Sequence, residues 1–276
     1  MKKFQIVVDS SSDMLKEHFA DENILLNIVP LSIHVGGKDF IDEPGLNIDV
    51  MLKEMHSLKE KSTSSCPPVG AFEEMFNKAE NTICITLSSK LSGTFNSARL
   101  AADMVDKNVH VIDSKSTSGA LVLIAEKCYE LMKQDLSFDD IVKQVEQFSI
   151  DTQLLFVLDS FDNLVKNGRI SKVSGLLGSL LNIKPIATAN EVGEITLVEK
   201  KRTTKAALNR LVEMIGETVS NISERNLIIA HCFDLEVATE IKKLICDKYN
   251  FISVRIQSMK GLCSFYALEK GIIVSF

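Results

Sequence analysis

Thr82-Ile83-Cys84-Ile85-Thr86-Leu87 runs directly into Ser88-Ser89-Lys90-Leu91-Ser92-Gly93-Thr94, and then into Phe95–Val105, whose apolar residues fall at helical spacing. An apolar, partly β-branched run, a hydroxyl-rich loop and a helix follow one another without a break. A short run of this kind reads as a strand buried on both faces, the type found inside parallel sheets. The succession recurs along the first half of the chain. Phe4–Asp9 leads into Ser10-Ser11-Ser12-Asp13, which offers caps for a helix, and Val109–Asp113 leads into loop 113–119 and a helix over Ala120–Met132. Ile24–Ile33 reads as a further extended segment. This rhythm predicts a parallel sheet with helices on both faces.

Sheets of this class bind ligands where strands end and helices begin. Loops 9–13, 88–94 and 113–119 are therefore expected at one shared edge. From about Ile150 onward the pattern changes. Gln153–Leu158, Lys184–Thr188, Ile195–Glu199, Leu227–Ala230 and Ile252–Gln257 read as strands. Asp162–Ser171 reads as a polar connection, Val173–Leu181 as a short apolar helix, and Glu191–Glu194 as a turn. Longer helices are expected from Thr204 and over Leu235–Lys248. Hairpin and crossover elements mix here, which predicts a mixed sheet covered by helices. The expected fold is thus α/β in two domains: an N-terminal three-layer α/β/α parallel sheet over 1–150, and a C-terminal mixed sheet with helices over 151–276. At 276 residues with 45% apolar content, each half is long enough for its own core.

Composition narrows the function. The net charge is −6, no basic run is longer than Lys200-Lys201-Arg202, and there are 14 Phe, 3 Tyr and no Trp. Such a surface repels a phosphate backbone and lacks a stacking platform, so nucleic acid is excluded as a partner. No stretch of about 18 apolar residues spans a membrane, and Met1-Lys2-Lys3-Phe4 opens no signal peptide, so a cytoplasmic location is expected. The six cysteines are scattered without a C-x-x-C pair, and the five histidines lack ligand spacing. Neither a metal nor a cofactor is expected.

Three stretches could carry chemistry. Hydroxyls and free N–H groups of 88–94 at a helix start can hold an anion, although capping alone also accounts for them. Ser62-Thr63-Ser64-Ser65-Cys66-Pro67-Pro68 is stiffened by its prolines; it reads either as a rigid presentation of hydroxyls or as a surface loop, with Cys66 a weaker candidate nucleophile. Arg169, in Lys166-Asn167-Gly168-Arg169-Ile170-Ser171, could pair with a carboxylate or phosphate, or tie a domain junction together. A hydrolase or acyltransferase using Ser92 as nucleophile and His231 as base is the competing class, though no G-x-S-x-G elbow is present.

Taken in order, these segments resemble the DegV family. Asp9–Asp13 resembles its D-S-[ST]-x-D, Ser64–Pro67 its T-S-[QC]-P, and Ser88–Ala98 its S-S-x-L-S-G-T-[YF]-x-S-A. Val111–Ser114 resembles V-[IV]-D-[ST], Asn167–Ser171 G-G-R-I-S, Ile183–Ile186 I-K-P-I, and Lys201–Ala206 K-x-R-T-x-x-K-A. The resemblance covers essentially the whole chain. It implies a bacterial, non-catalytic lipid-binding protein with a ligand cleft between two domains. The ligand would be a long-chain fatty acid. Its carboxylate would meet Ser64 and Ser92, with Ser65, Gly93 and Thr94 beside them, Thr63 as an alternative to Ser64, and Arg169 and Tyr266 as further candidate ligand-binding residues. Its tail would enter an apolar tunnel, for which Leu176, Leu177, Leu180 and Leu181 are candidates unless they are plain core. Family members that serve bacterial fatty acid kinase present the acid to a separate ATP-dependent kinase subunit, and Arg202 resembles the position facing that partner. The chain has no G-x-x-x-x-G-K-[ST] phosphate loop of its own. Two departures stand out. The family threonine of T-S-[QC]-P is Ser64, with Thr63 one place earlier. The histidine of the family's C-terminal G-x-H-x-G-P-G-like stretch falls on Tyr266, which leaves room for a member that binds another amphiphile.

Overall fold

The computed structural model describes residues 2–19, 21–170 and 183–276. In the first half, β1 (Lys2–Asp9) and β2 (Ile24–Val29) pair in parallel, and the chain then leaves this sheet. Pro30, which has no N–H to donate, follows β2 directly, so the extended segment expected over Ile24–Ile33 is cut in two. Its second part, β3 (Ser32–Val35), joins β4 (Lys38–Ile41) and, beyond α1 (Ile48–Ser57), β5 (Thr63–Ser65) in a small antiparallel sheet ordered β4-β3-β5. After α2 (Val69–Phe76), β6 (Ala79–Thr86) returns beside β1; α3 (Thr94–Ala102) leads to β7 (Asn108–Asp113) at the sheet edge. The resulting sheet is β2-β1-β6-β7, parallel throughout.

Side chains alternate across it as the pleat requires. Val7 and Cys84 face α2 and α3 with Phe72, Phe76 and Ala98. Ile6, Val8, Ile83 and Ile85 face α4 (Gly119–Met132) and α5 (Phe138–Asp151). The three-layer α/β/α arrangement expected for this half is therefore present. Ser10–Asp13 form only a single 3-10 turn, ended by Asp13 at φ +60°, rather than opening a helix.

The second half contains β8 (Leu154–Val157), α6 (Asp162–Lys166), β9 (Lys184–Ala189), β10 (Ile195–Lys201), α7 (Thr204–Thr218), β11 (Asn226–His231), α8 (Leu235–Lys248), β12 (Ser253–Ser258), α9 (Gly261–Ala267) and β13 (Ile272–Ser275). Its six-stranded sheet runs β10-β9-β8-β13-β11-β12, antiparallel except for the β11–β12 pair. This is the mixed sheet expected. Leu211 and Ile215 of α7 and Ile241 and Ile245 of α8 cover one face. Val173–Leu181, with the four candidate tunnel leucines, lies outside the described residues.

What joins the halves is α4. Ten of its fourteen residues are buried, and it packs on β1 and β6 on one side and on β11 and β13 on the other. Its first two turns, apolar all round, suit this double burial. Gly119 allows the approach, since a Cβ there would sit 2.9 Å from Cγ2 of Ile228.

Candidate functional site

The loops after β1, β6 and β7 meet at one edge, as the strand-loop-helix rhythm predicts. The Asp9 carboxylate accepts the Leu87 N–H at 2.7 Å, and the Ser118 N–H reaches Ser11 O at 2.8 Å. Ser88 N–H donates to Ser116 O at 2.9 Å, while Asp113 Oδ1 accepts the N–H groups of Ser89 and Lys115, both at 3.0 Å.

Between this edge and the face of the six-stranded sheet that α7 and α8 leave uncovered lies a cavity with largely apolar walls. Leu31, Leu87 and Leu91 line it from the first half; Leu154, Phe156, Leu158 and Ile273 line it from the mixed sheet. Ala189 and Ile195, the opposed pair at the base of the β9–β10 hairpin, complete one side. The polar residues of the lining are Ser64, Ser92, Lys115, Ser116, Thr117, Arg169 and Tyr266.

Ser64, Tyr266, Arg169 and the loop of Ser92 are linked by contact. Ser64 Oγ and the Tyr266 hydroxyl share a hydrogen bond of 2.7 Å. The Arg169 guanidinium lies 5.5 Å from the Tyr266 ring centroid, in cation–π range. Its Nε donates to Leu91 O at 3.1 Å and its Nη1 to Asn167 O at 2.8 Å, which fixes the charge beside the loop carrying Ser92. Ser92 Oγ bonds Thr94 Oγ1 at 2.9 Å. Burial pushes the Tyr266 phenol up, partly offset by Ser64 and by the nearby Arg169 charge, so Tyr266 stays protonated near neutrality.

The two serine loops contribute unequally. β5 alternates its side chains, so Ser64 lines the cavity while Thr63 and Ser65 do not; Ser65 Oγ instead meets His34 Nε2 at 2.9 Å. Of the two candidates for the family threonine, Ser64 lines the cavity and Thr63 does not. Gly93 is exposed and packs toward Cys66, whose sulfur would lie 3.1 Å from a Cβ at that position. Thr94 is fully buried and supports Ser92. Arg202 is exposed beyond β10 and does not line the cavity. His231 also stays outside the lining, with Nδ1 accepting the Asp234 N–H at 3.2 Å and burial holding its pKa below the ordinary value. A Ser92–His231 pair is therefore not assembled. Cys66, half-buried, is not among the lining residues either.

Behind the cavity lie three buried carboxyls, Asp9, Asp13 and Asp42; the sequence did not reveal that the last two converge on the start of the distant α9. Asp13 accepts the Lys260 N–H at 2.6 Å and the Ser118 hydroxyl at 2.7 Å. Asp42 accepts the N–H groups of Gly261 and Leu262 at 2.7 and 3.0 Å, holding the start of the helix that carries Tyr266. Burial pushes Asp9 up to about 6 and Asp13 up to about 7, and raises Asp42 as well. Ser116 and Thr117, lining residues in the loop after β7, were also not singled out by the sequence. Among the described residues, no group of three or more His, Cys, Asp or Glu side chains could hold a metal, and no helix is long and apolar enough to cross a membrane.

Comparison with known proteins bears on this cavity. The family model described as an uncharacterised protein of the DegV family matches residues 3–275. A DegV domain-containing protein of Streptococcus pyogenes serotype M1 is 35% identical over 278 residues, covering 99% of each chain. Among solved structures, the Fatty Acid Kinase (Fak) B3 protein of Streptococcus pneumoniae, loaded with linoleic acid, superposes with a TM-score of 0.93 at 33% identity, covering 99% of both chains. A DegV family protein of Eubacterium eligens loaded with heptadecanoic acid gives 0.90 at 30% identity, covering 99% of this chain and 98% of that one. The matched segment spans both sheets and the α4 that joins them. The chain belongs to the DegV family.

Proposed function

We propose that this protein binds one long-chain fatty acid in the cavity and presents its carboxylate to a separate ATP-dependent fatty acid kinase subunit, which forms the acyl phosphate. The observation that carries this reading is the polar set Ser64, Ser92, Arg169 and Tyr266 gathered in a cavity with largely apolar walls. A carboxylate there gains neutral hydroxyl donors and one nearby guanidinium, whose hydrogen bonds to an anion are stronger than those between neutral groups. The tail lies along Leu31, Leu87, Phe156 and Ile273. Burying about sixteen carbons contributes of order 10 kcal/mol at about 0.8 per methylene. In this reading the chain is not itself an enzyme. It provides binding and orientation, and the partner provides the phosphoryl donor.

Native mass spectrometry of protein purified from a bacterial host, wild type against Ser92→Ala, tests the binding step. A stoichiometric fatty acid in the wild type, much reduced in the variant, is expected. A wild type that arrives empty and takes up no added fatty acid would sink the proposal, and a sterol or polar lipid in its place would redirect it to another amphiphile. For the second step, exposed Arg202 serves the partner. Arg202→Glu is expected to retain bound acid yet lose at least tenfold in acyl-phosphate formation when kinase subunit and ATP are supplied; unchanged turnover would remove Arg202 from the interface.

A further inference from the structure

The tip of the β9–β10 hairpin contains one buried residue among exposed neighbours. Glu191, Val192 and Glu194 face solvent, whereas Gly193 is buried. It is buried because it seats on the loops of the other half. The hydroxyl of Ser88, itself fully buried, donates to Gly193 O at 2.7 Å. The seat is too tight for a side chain: a Cβ on Gly193 would lie 2.3 Å from Ser88 Oγ and 3.0 Å from Lys115 Cα. The backbone there also has φ +87°, a conformation that favours glycine. The turn is preformed, since Gly193 N–H donates to Asn190 O at 2.8 Å and Asn190 Oδ1 accepts the N–H groups of Val192 and Glu194.

Both sides of this contact belong to the cavity. Ser88 O accepts the Ser92 N–H at 3.2 Å, so the residue that grips the hairpin also holds Ser92. On the other side, Ala189 and Ile195, which close the hairpin below its turn, line the cavity wall. Among the described residues, one side-chain hydrogen bond thus fastens a wall of the cavity to the loop that supplies a head-group hydroxyl in this reading. We infer that the β9–β10 hairpin is a movable wall of the ligand cavity, with Ser88 and Gly193 as positioning residues whose contact sets the rate of ligand exchange. This inference rests on the acyl-binding reading. When the contact opens, the Ala189–Ile195 wall lifts away from the Ser88–Ser92 loop, and the acyl chain enters or leaves.

The test is release of bound oleic acid to excess albumin, followed by stopped flow, in the wild type, Ser88→Ala, Ser88→Thr and Gly193→Ala. Ser88 Oγ also accepts the Lys90 N–H at 3.2 Å, so Ser88→Ala removes two bonds, whereas Gly193→Ala leaves the Lys90 turn intact. Release is expected to quicken roughly five- to tenfold in Ser88→Ala, the change that losing about one hydrogen bond corresponds to. Gly193→Ala should quicken it at least as much, and Ser88→Thr, which keeps the hydroxyl, should restore a near wild-type rate. Melting temperatures taken alongside separate faster release from a general loss of stability. If Gly193→Ala does not fold, the Ser88→Ala and Ser88→Thr pair decides. Loaded variants that release at the wild-type rate overturn the inference alone. A wild type that takes up no oleic acid overturns the acyl reading and the inference with it.

Discussion

Ser64 and Tyr266 lie on opposite halves of the chain and meet at 2.7 Å across the cavity. In the proposed head-group site the phenol differs from an imidazole, because it can donate a hydrogen bond without titrating near neutrality. An imidazole in its place would gain charge around its ordinary pKa of about 6.5 and make carboxylate binding pH-dependent. Tyr266→Phe removes the donor and is expected to weaken fatty-acid binding about tenfold, of order 1 kcal/mol. Tyr266→His is expected to bind more tightly at about pH 6 than at about pH 8.5, relative to the wild type measured side by side. Titration calorimetry at the two pH values checks this; parallel behaviour of the two proteins would show that position 266 does not touch the ligand's charge.

Among the elements, the parallel strands were the most legible. β1, β6 and β7 each carry a short, largely β-branched run ending in a serine-rich loop, so local pattern alone identifies them and the edge where they end. The small antiparallel sheet was not legible: β3 merges in sequence with β2 until Pro30 separates them, and β4 and β5 are short and polar. α6 was read as a connection, because Asp162–Lys166 makes little more than one turn and carries no period. At the site, Ser64, Ser92, Arg169 and Tyr266 were legible through the family resemblance. The unequal roles of Thr63, Ser64 and Ser65 depend on the pleat of β5 against β3, which a sequence of consecutive hydroxyl residues does not display. The fastening of Gly193 by Ser88 joins two halves of the chain, and no local signal marks it.

On the scale of the whole molecule, the buried carboxyls make stability depend on pH in an uncommon direction. Asp9 and Asp13 titrate at about 6 and about 7, above the ordinary 3.8, so between these values the folded protein holds protons that the unfolded chain releases. The stability they contribute is full below about pH 4 and is lost as the pH rises through 6 and 7. His231, held below 6.5, acts oppositely on acidification, and Glu126, lowered beside His18 and Arg255, does so only below its ordinary 4.5. A comparison with Asp13→Asn isolates the effect, with Asp42, Cys263 and Lys260 as its charged or titratable surroundings in both proteins. Between about pH 8 and 5.5 the wild-type Tm should rise relative to that of the variant; parallel melting curves would count against the raised Asp13. The shared helix α4 has a different consequence, for synthesis on the ribosome. Its first apolar face finds β1 and β6 already made, but β11 and β13 are translated only after everything between Met132 and Asn226. At about 5–20 residues per second, that leaves an uncovered hydrophobic helix for seconds on every nascent chain, an interval in which a holding chaperone would have a defined client surface.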